Sequence, residues 1–179
     1  MNNIKKFKSR YGTLIEIEDQ LNKSIDSLDH PVYHPEKTLI KHIDIVIGRA
    51  LERPEKELHF AAMLHDITKS GWCPALWSGR IGNSKTIESG TYWQNSNHHN
   101  QAEDFMSISN IKKWIISNGV DFDKCRLIVK NHMRMKYYIS GQMKPKTSIK
   151  MKSELMEIWE LLFYFSDYCD NMLKNQIDI

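Results

Sequence analysis

The stretch "AAMLHDITKS", residues 61–70, ends an apolar run on an adjacent histidine and aspartate, His65 and Asp66, with Lys69 one turn further on. It lies in "RPEKELHFAAMLHDITK", where Pro54 is a helix starter and Leu58, Ala61 and Ala62 define an inward face. His65 and Asp66 follow Leu58 by about two helical turns and fall on that same face. A buried imidazole and a buried carboxylate are costly unless they are paired or bound to a metal.

Other segments repeat the pattern. The spacing predicts a helix from Pro35 to about residue 51, with Leu39, Ile43, Val46 and Ala50 inward and His42 among them. A helix over about 122–135 turns Cys125, Ile128 and Val129 inward, followed by His132. The last helix, about 153–174, carries Trp159 and Phe163 inward, with Asp167 and Asp170 one and two turns later. Four helices therefore each send a histidine or aspartate into one interior, where a divalent cation would satisfy them together. Imidazole with carboxylate suits Mn, Fe, Co, Ni, Zn or Mg rather than Cu(I). His59 reads instead as a hydrogen-bonded core residue.

Around these segments the chain reads as all-α: helices over 13–28 and 99–117, and a basic linker, "SGQMKPKTSIKMKS". No alternating strand pattern is convincing, although "MKYYIS" has a short extended character. Residues 70–97 hold four glycines and a proline with Trp72, Trp77, Tyr92 and Trp93, and read as a long irregular insertion.

The bulk numbers set bounds. The 179 residues fit a single domain, 41% apolar and 26% charged, with a net charge of +3 that suits an anionic small molecule and does not by itself indicate nucleic acid. Cys73, Cys125 and Cys169 form no CxxC pair, which predicts reduced thiols and a cytoplasmic location. "MNNIKKFKSRYG" has no apolar core and is not read as a signal peptide, and no run approaches the ~20 apolar residues that cross a bilayer. No HExxH helix, P-loop or GxSxG elbow is present. Met- and Trp-bearing surfaces near the C-terminus would permit an oligomer.

His42, the pair His65-Asp66 and the distant Asp167 resemble the signature of the HD superfamily of metal-dependent phosphohydrolases. "HPEKTLIKH", His34 to His42, is similar to the entry of the HD domains of tRNA CCA-adding enzymes; "AAMLHDITK" resembles the family's "LLHDIGK", with Thr68 in the place of its glycine. "FSDYCD" is similar to the helix of the last aspartate, Ser166-Asp167 standing for Ala-Asp. The resemblance spans about 31–173 and implies a single, stand-alone HD-type helical bundle over 1–179 with a helical extension at 1–30. Nothing resembling the nucleotidyltransferase head is present in this chain, so tRNA end repair is not implied.

The same resemblance implies His42, His65, Asp66 and Asp167 as ligands of one ion. Family members with two ions add two histidines, here His98, favoured over His99 by register, and His132. The implied reaction is hydrolysis of a phosphate ester by a metal-activated water, with catalytic roles for Asp66 and Lys69. Lys69, His34, Arg134, Lys136 and Arg80, with Lys85 beside them, are the expected phosphate contacts. Trp72 and Trp93, with Trp77, would stack on a nucleobase, so a nucleotide or other small phosphorylated compound is the expected substrate. Two rivals remain: a di-iron oxygenase of the same fold, which Tyr33 and Glu36 faintly suggest, and a non-catalytic nucleotide-binding protein.

Overall fold

The computed structural model describes residues 2–25, 38–69, 83–87, 90–94 and 98–170, the segments 83–87 and 90–94 by backbone alone. The chain is an all-α bundle. At its centre α3 (Leu39–Ala50), α4 (Lys56–Leu64), α7 (Phe122–Ile139) and α9 (Trp159–Asp170) pack on one another. In α3, α4 and α7 the meeting faces are the apolar stripes read from the sequence, Ile43 and Val46, Leu58 and Ala62, and Ile128 and Val129, all buried. In α9, Trp159 and Phe163, expected inward, are only partly buried at the edge of this core, and Leu162 and Phe165 fill it.

Two further helices cover the centre. The helix α1 (Asn2–Tyr11) lies across α3, and α5 (His98–Met106) lies along α7. The Asp44 carboxylate of α3 receives the Asn3 and Ile4 N–H groups at 3.1 and 3.0 Å. It thereby caps the N-terminus of α1, where free N–H groups and the helix dipole favour a negative charge. The approach is close enough that a Cβ on Gly48 would stand 2.5 Å from Asn3 Nδ2. After α2 (Ile15–Ser24), α6 (Ser109–Ser117) brings Trp114 against Phe7 and Phe60, and its indole donates to the Tyr11 carbonyl at 3.0 Å.

Several elements depart from the expectations above. The helix expected over 99–117 is two helices, broken at Ser107-Ile108. The break sits in "MSISN", where serine and asparagine offer the backbone other partners: Ser107 Oγ donates to the Glu103 carbonyl, and Asn110 Oδ1 accepts from Ile111 N–H at 3.0 Å. "MKYYIS" is not extended, because α7 runs through Ile139 and stacks Tyr138 edge-on against Trp159, 5.0 Å between centroids. The basic linker contains a helix, α8 (Pro145–Glu154), with proline in its first turn, where no N–H is missed. A 3-10 turn, Met156–Ile158, leads from it into α9. The insertion is not wholly irregular: β1 (Asn83–Ile87) and β2 (Gly90–Gln94) form an antiparallel pair in which Ser84 faces Trp93 and Lys85 faces Tyr92.

His59 has the ordinary core role expected of it. It is fully buried; its Nε2–H donates to the Arg53 carbonyl at 2.8 Å and its Nδ1 accepts from the Tyr11 hydroxyl at 2.6 Å. Burial, helped by the nearby Arg10 charge and opposed by Glu55, holds the His59 pKa below its ordinary value. The unfolded chain therefore binds the proton first, and this contribution to stability is complete above about pH 6.5 and lost as the pH falls below it. The urea midpoint should decrease between pH 7.5 and 5.5. At pH 7.5, Tyr11→Phe should lower stability by about 1–3 kcal/mol, the cost of leaving a buried acceptor unpaired. Denaturation curves at the two pH values check both.

Candidate metal centre

His65 and Asp66 sit just past the end of α4. The His65 N–H still bonds back to the Ala61 carbonyl, and the Lys69 N–H closes a turn on the Asp66 carbonyl, both at 2.9 Å. This turn puts both side chains in the interior, 1% and 2% exposed. His42 comes from the middle of α3, His98 from the first residue of α5 and His132 from the middle of α7, and all three are buried.

The five side chains meet around the Asp66 carboxylate. Oδ2 lies 3.4 Å from His42 Nε2 and 3.3 Å from His65 Nε2, and those two nitrogens are 3.3 Å apart. Oδ1 lies 3.3 Å from His98 Nε2, which is 3.4 Å from His132 Nε2. Two groups able to hold a metal ion result, His42–His65–Asp66 and Asp66–His98–His132, and they share Asp66. Ligand atoms each ~2.1 Å from one ion are separated by ~3.0 Å at a right angle and by ~3.4 Å at the tetrahedral angle. The observed separations fall in that range.

The protonation pattern fits ligation as well. A carbonyl can only accept, so His65 Nδ1, 3.1 Å from the Ala62 carbonyl, and His132 Nδ1, 2.7 Å from the Val129 carbonyl, carry the ring hydrogens. The Nε2 atoms are then the ones left facing Asp66 and His98. A backbone acceptor behind the ring is the usual means of orienting a metal-binding histidine. Burial, with repulsion from His65, pushes the His132 pKa down to about 3, so the ring is neutral at physiological pH. For Asp66, burial pushes the carboxyl up, but the combined pull of His65, Lys69 and His98 outweighs it and holds the group well below the ordinary carboxylate range. Asp66 Oδ1 has no hydrogen bond among the described residues. His98 Nε2 is near enough to attract it but is off the angle of a hydrogen bond, as expected where both atoms face a shared cation.

The remaining expected residues divide by location. Lys69 is in the site, its Nζ 2.8 Å from Asp66 Oδ2. His98 joins the cluster, whereas His99 does not; His99 Nδ1 is buried without a hydrogen-bond partner among the described residues, and burial lowers its pKa. Asp167 is half-buried on α9 and belongs to neither group of three. Arg134 donates to Asn131 Oδ1 at 2.9 Å and faces Glu154 at 3.4 Å, and Lys136 lies one turn beyond His132. His34, Arg80, Trp72, Trp77, Tyr33 and Glu36 lie outside the described residues, as do the side chains of Lys85, Trp93 and Asp170.

Two positioning residues are not apparent from the sequence. Thr68, fully buried, donates from Oγ1 to the His98 carbonyl at 3.2 Å and ties the His65-Asp66 turn to α5. Ser166 donates to the His132 carbonyl at 3.3 Å and ties α9 to α7. Both replace small residues of the resembled motifs, and a hydroxyl where that pattern has none is the available signal. Among the described residues no helix is long and apolar enough to cross a membrane. No family model, curated protein or solved structure matches the chain.

Metal content measured per chain should separate the two groups. His132→Ala should retain the ion of the first group and lose the second, whereas Asp66→Ala should lose both, with helicity by circular dichroism preserved in each. Chelation should lower the Tm of the wild-type chain by roughly 5–10 °C, the shift for a ligand held near 100 times its Kd in a domain of this size.

Proposed function

We propose that this chain is a divalent-metal-dependent phosphohydrolase of the HD type, acting on a nucleotide or another small phosphorylated compound. The observation that carries the reading is the shared carboxylate. Asp66 presents one oxygen to His42 and His65 and the other to His98, which stands beside His132. A carboxylate between two such groups suits a pair of ions clamping one phosphate. The chain order His42, His65-Asp66, His98, His132, Asp167 supports it further, because it follows the ligand order of the two-ion members that the sequence resembles.

In this reading His42, His65 and Asp66 would hold one ion, and Asp66, His98 and His132 the other. Asp167, next to the Ser166 that anchors α9 to His132, fills the last ligand position given by the resemblance. Bound divalent ions would supply a water of lowered pKa and polarisation of the P–O bond. The chain itself contributes orientation and charge. The Ala62 and Val129 carbonyls fix the His65 and His132 rings, which lowers the reorganisation needed when substrate arrives. Lys69, 16% exposed at its side chain, is the most accessible of the charged groups around Asp66 and offers its ammonium to a phosphoryl oxygen.

The test is phosphate release from phosphomonoesters, cyclic nucleotides and nucleoside triphosphates with Mn, Co, Ni or Mg, run beside His65→Ala and Asp66→Ala. Wild type should turn over at least one class, without oxygen uptake, and each variant should lose on the order of 100-fold or more in kcat, the scale set by removing one electrostatic element of a site. Lys69→Ala should lower kcat while leaving metal content unchanged. Equal trace release by wild type and variants on every substrate would sink the hydrolase reading; oxygen consumption with an iron-loaded chain would move it to the di-iron oxygenases.

A further inference from the structure

Among the described residues, the basic segment that follows His132 adds no member to either group able to hold a metal ion. Between residues 134 and 154 the chain carries Arg134, Lys136, Lys144, Lys146, Lys150 and Lys152, against Glu154 as its single acid. The end of α7 and all of α8 carry these charges on one continuous stretch, joined by a turn in which the Gln142 and Met143 N–H groups bond to the Tyr137 carbonyl.

The helix α8 is hardly used by the core. Met151 is its only buried side chain, and Lys144, Lys146, Lys150 and Lys152 are all exposed. Lys144 and Lys146 make no ion pair among the described residues, and Lys150 has Glu154 at a loose 3.7 Å. Lys152 lies over the Trp159 ring at 5.8 Å. Exposed apolar groups are interspersed with the charges: Ile149 is 73% exposed, Met156 74% and Tyr137 46%. Ordinary solvation accounts for a lysine-rich helix; it does not account for an isoleucine left open within it and a tyrosine and a methionine left open in the elements on either side.

We propose that α8 and the adjoining end of α7 dock single-stranded nucleic acid. The lysines, spread over a helix of ten residues, or ~15 Å, match the reach of a few successive phosphates. Tyr137, Ile149 and Met156 offer apolar contact to base faces that a single strand exposes and a duplex hides. An insertion into lipid is disfavoured, because α8 has no continuous apolar stripe. The proposal concerns binding alone and does not rest on the phosphohydrolase reading.

Fluorescence anisotropy of a labelled 12-nucleotide oligo(U) with the full wild-type chain tests it, with oligonucleotide integrity checked on a gel. Binding should weaken with salt at a log–log slope of about −2 to −3, the value for three or four phosphates of a single strand. Lys146→Glu with Lys150→Glu should weaken binding roughly tenfold or more at low salt and flatten the slope. The charge-matched pair Lys5→Glu with Lys113→Glu, exposed lysines on α1 and α6, should bind nearly as wild type. Tyr137→Ala should narrow the preference for single strand over a duplex of the same length. The proposal is overturned by absence of binding at 20 mM salt, by equal losses in the two double variants, or by association with phosphatidylserine vesicles in place of the oligonucleotide.

Discussion

The Asp66 carboxylate is the constraint around which this interior is arranged. It is almost fully buried, and an unpaired charge there would cost several kcal/mol. The chain surrounds it with nitrogen from every side: His42 from α3, His65 from its own turn, His98 from α5, and Lys69 one turn on. Several rings of the cluster are themselves held in place by the backbone. Ala62 and Val129 orient rings through carbonyls one turn earlier in their own helices, a contact that helical geometry supplies automatically. Thr68 and Ser166 do between helices what those carbonyls do within them.

Periodicity makes the inward histidines legible. His42, His65 and His132 each stand at helical spacing from residues that must be buried, so the apolar stripe alone sets their direction. What periodicity does not carry is the end of an element. The break at Ser107-Ile108 depends on local side-chain hydrogen bonds, and α8 depends on Pro145 at a helix start outweighing a lysine-rich composition that reads as linker. The pairing of 83–87 with 90–94 joins two short segments, and neither has enough alternation to announce itself. Thr68 and Ser166 are hidden for a related reason: each acts on a backbone carbonyl remote in sequence, and a carbonyl leaves no trace in residue identity. Asp167 shows the opposite limit, since resemblance gives it a role while its spacing gives only a direction, and it stands in neither three-residue group.

Charge is distributed along α7 in a way that the net value of +3 conceals. Its middle supplies a neutral His132 to the buried cluster, and its end carries the half-buried Arg134 and Lys136, followed by the exposed lysines of α8. The acidic residues that balance the chain lie elsewhere: Glu103 takes Arg126 and Lys130, Glu18 takes Lys8, and Glu55 takes Arg53. A uniform scatter of these pairs would leave a neutral surface. Lysines 144 and 146, with no ion pair among the described residues, and Lys150, with only Glu154 at 3.7 Å, create a local field that attracts phosphate without changing the overall charge.

A cluster of this kind does not help the fold. His65 repels a proton on His132, burial disfavours the imidazolium, and Asp66 Oδ1 lacks a hydrogen bond among the described residues. Apolar side chains of similar volume would fill the same space with no desolvation cost, and replacing a buried ionic group in that way is often neutral or stabilising. His59 shows how the chain treats a histidine whose task is structural: two partners, a hydroxyl and a carbonyl, and both ring nitrogens satisfied. In His65 and His132 only Nδ1 is held by the backbone; Nε2 is aimed into the cluster, at His42 and Asp66 from His65 and at His98 from His132, all of them members of the two groups able to hold a metal ion. That difference between two treatments of one residue type, within one core, is the physical argument for reading the cluster as a binding site for cations and not as a way of holding helices together.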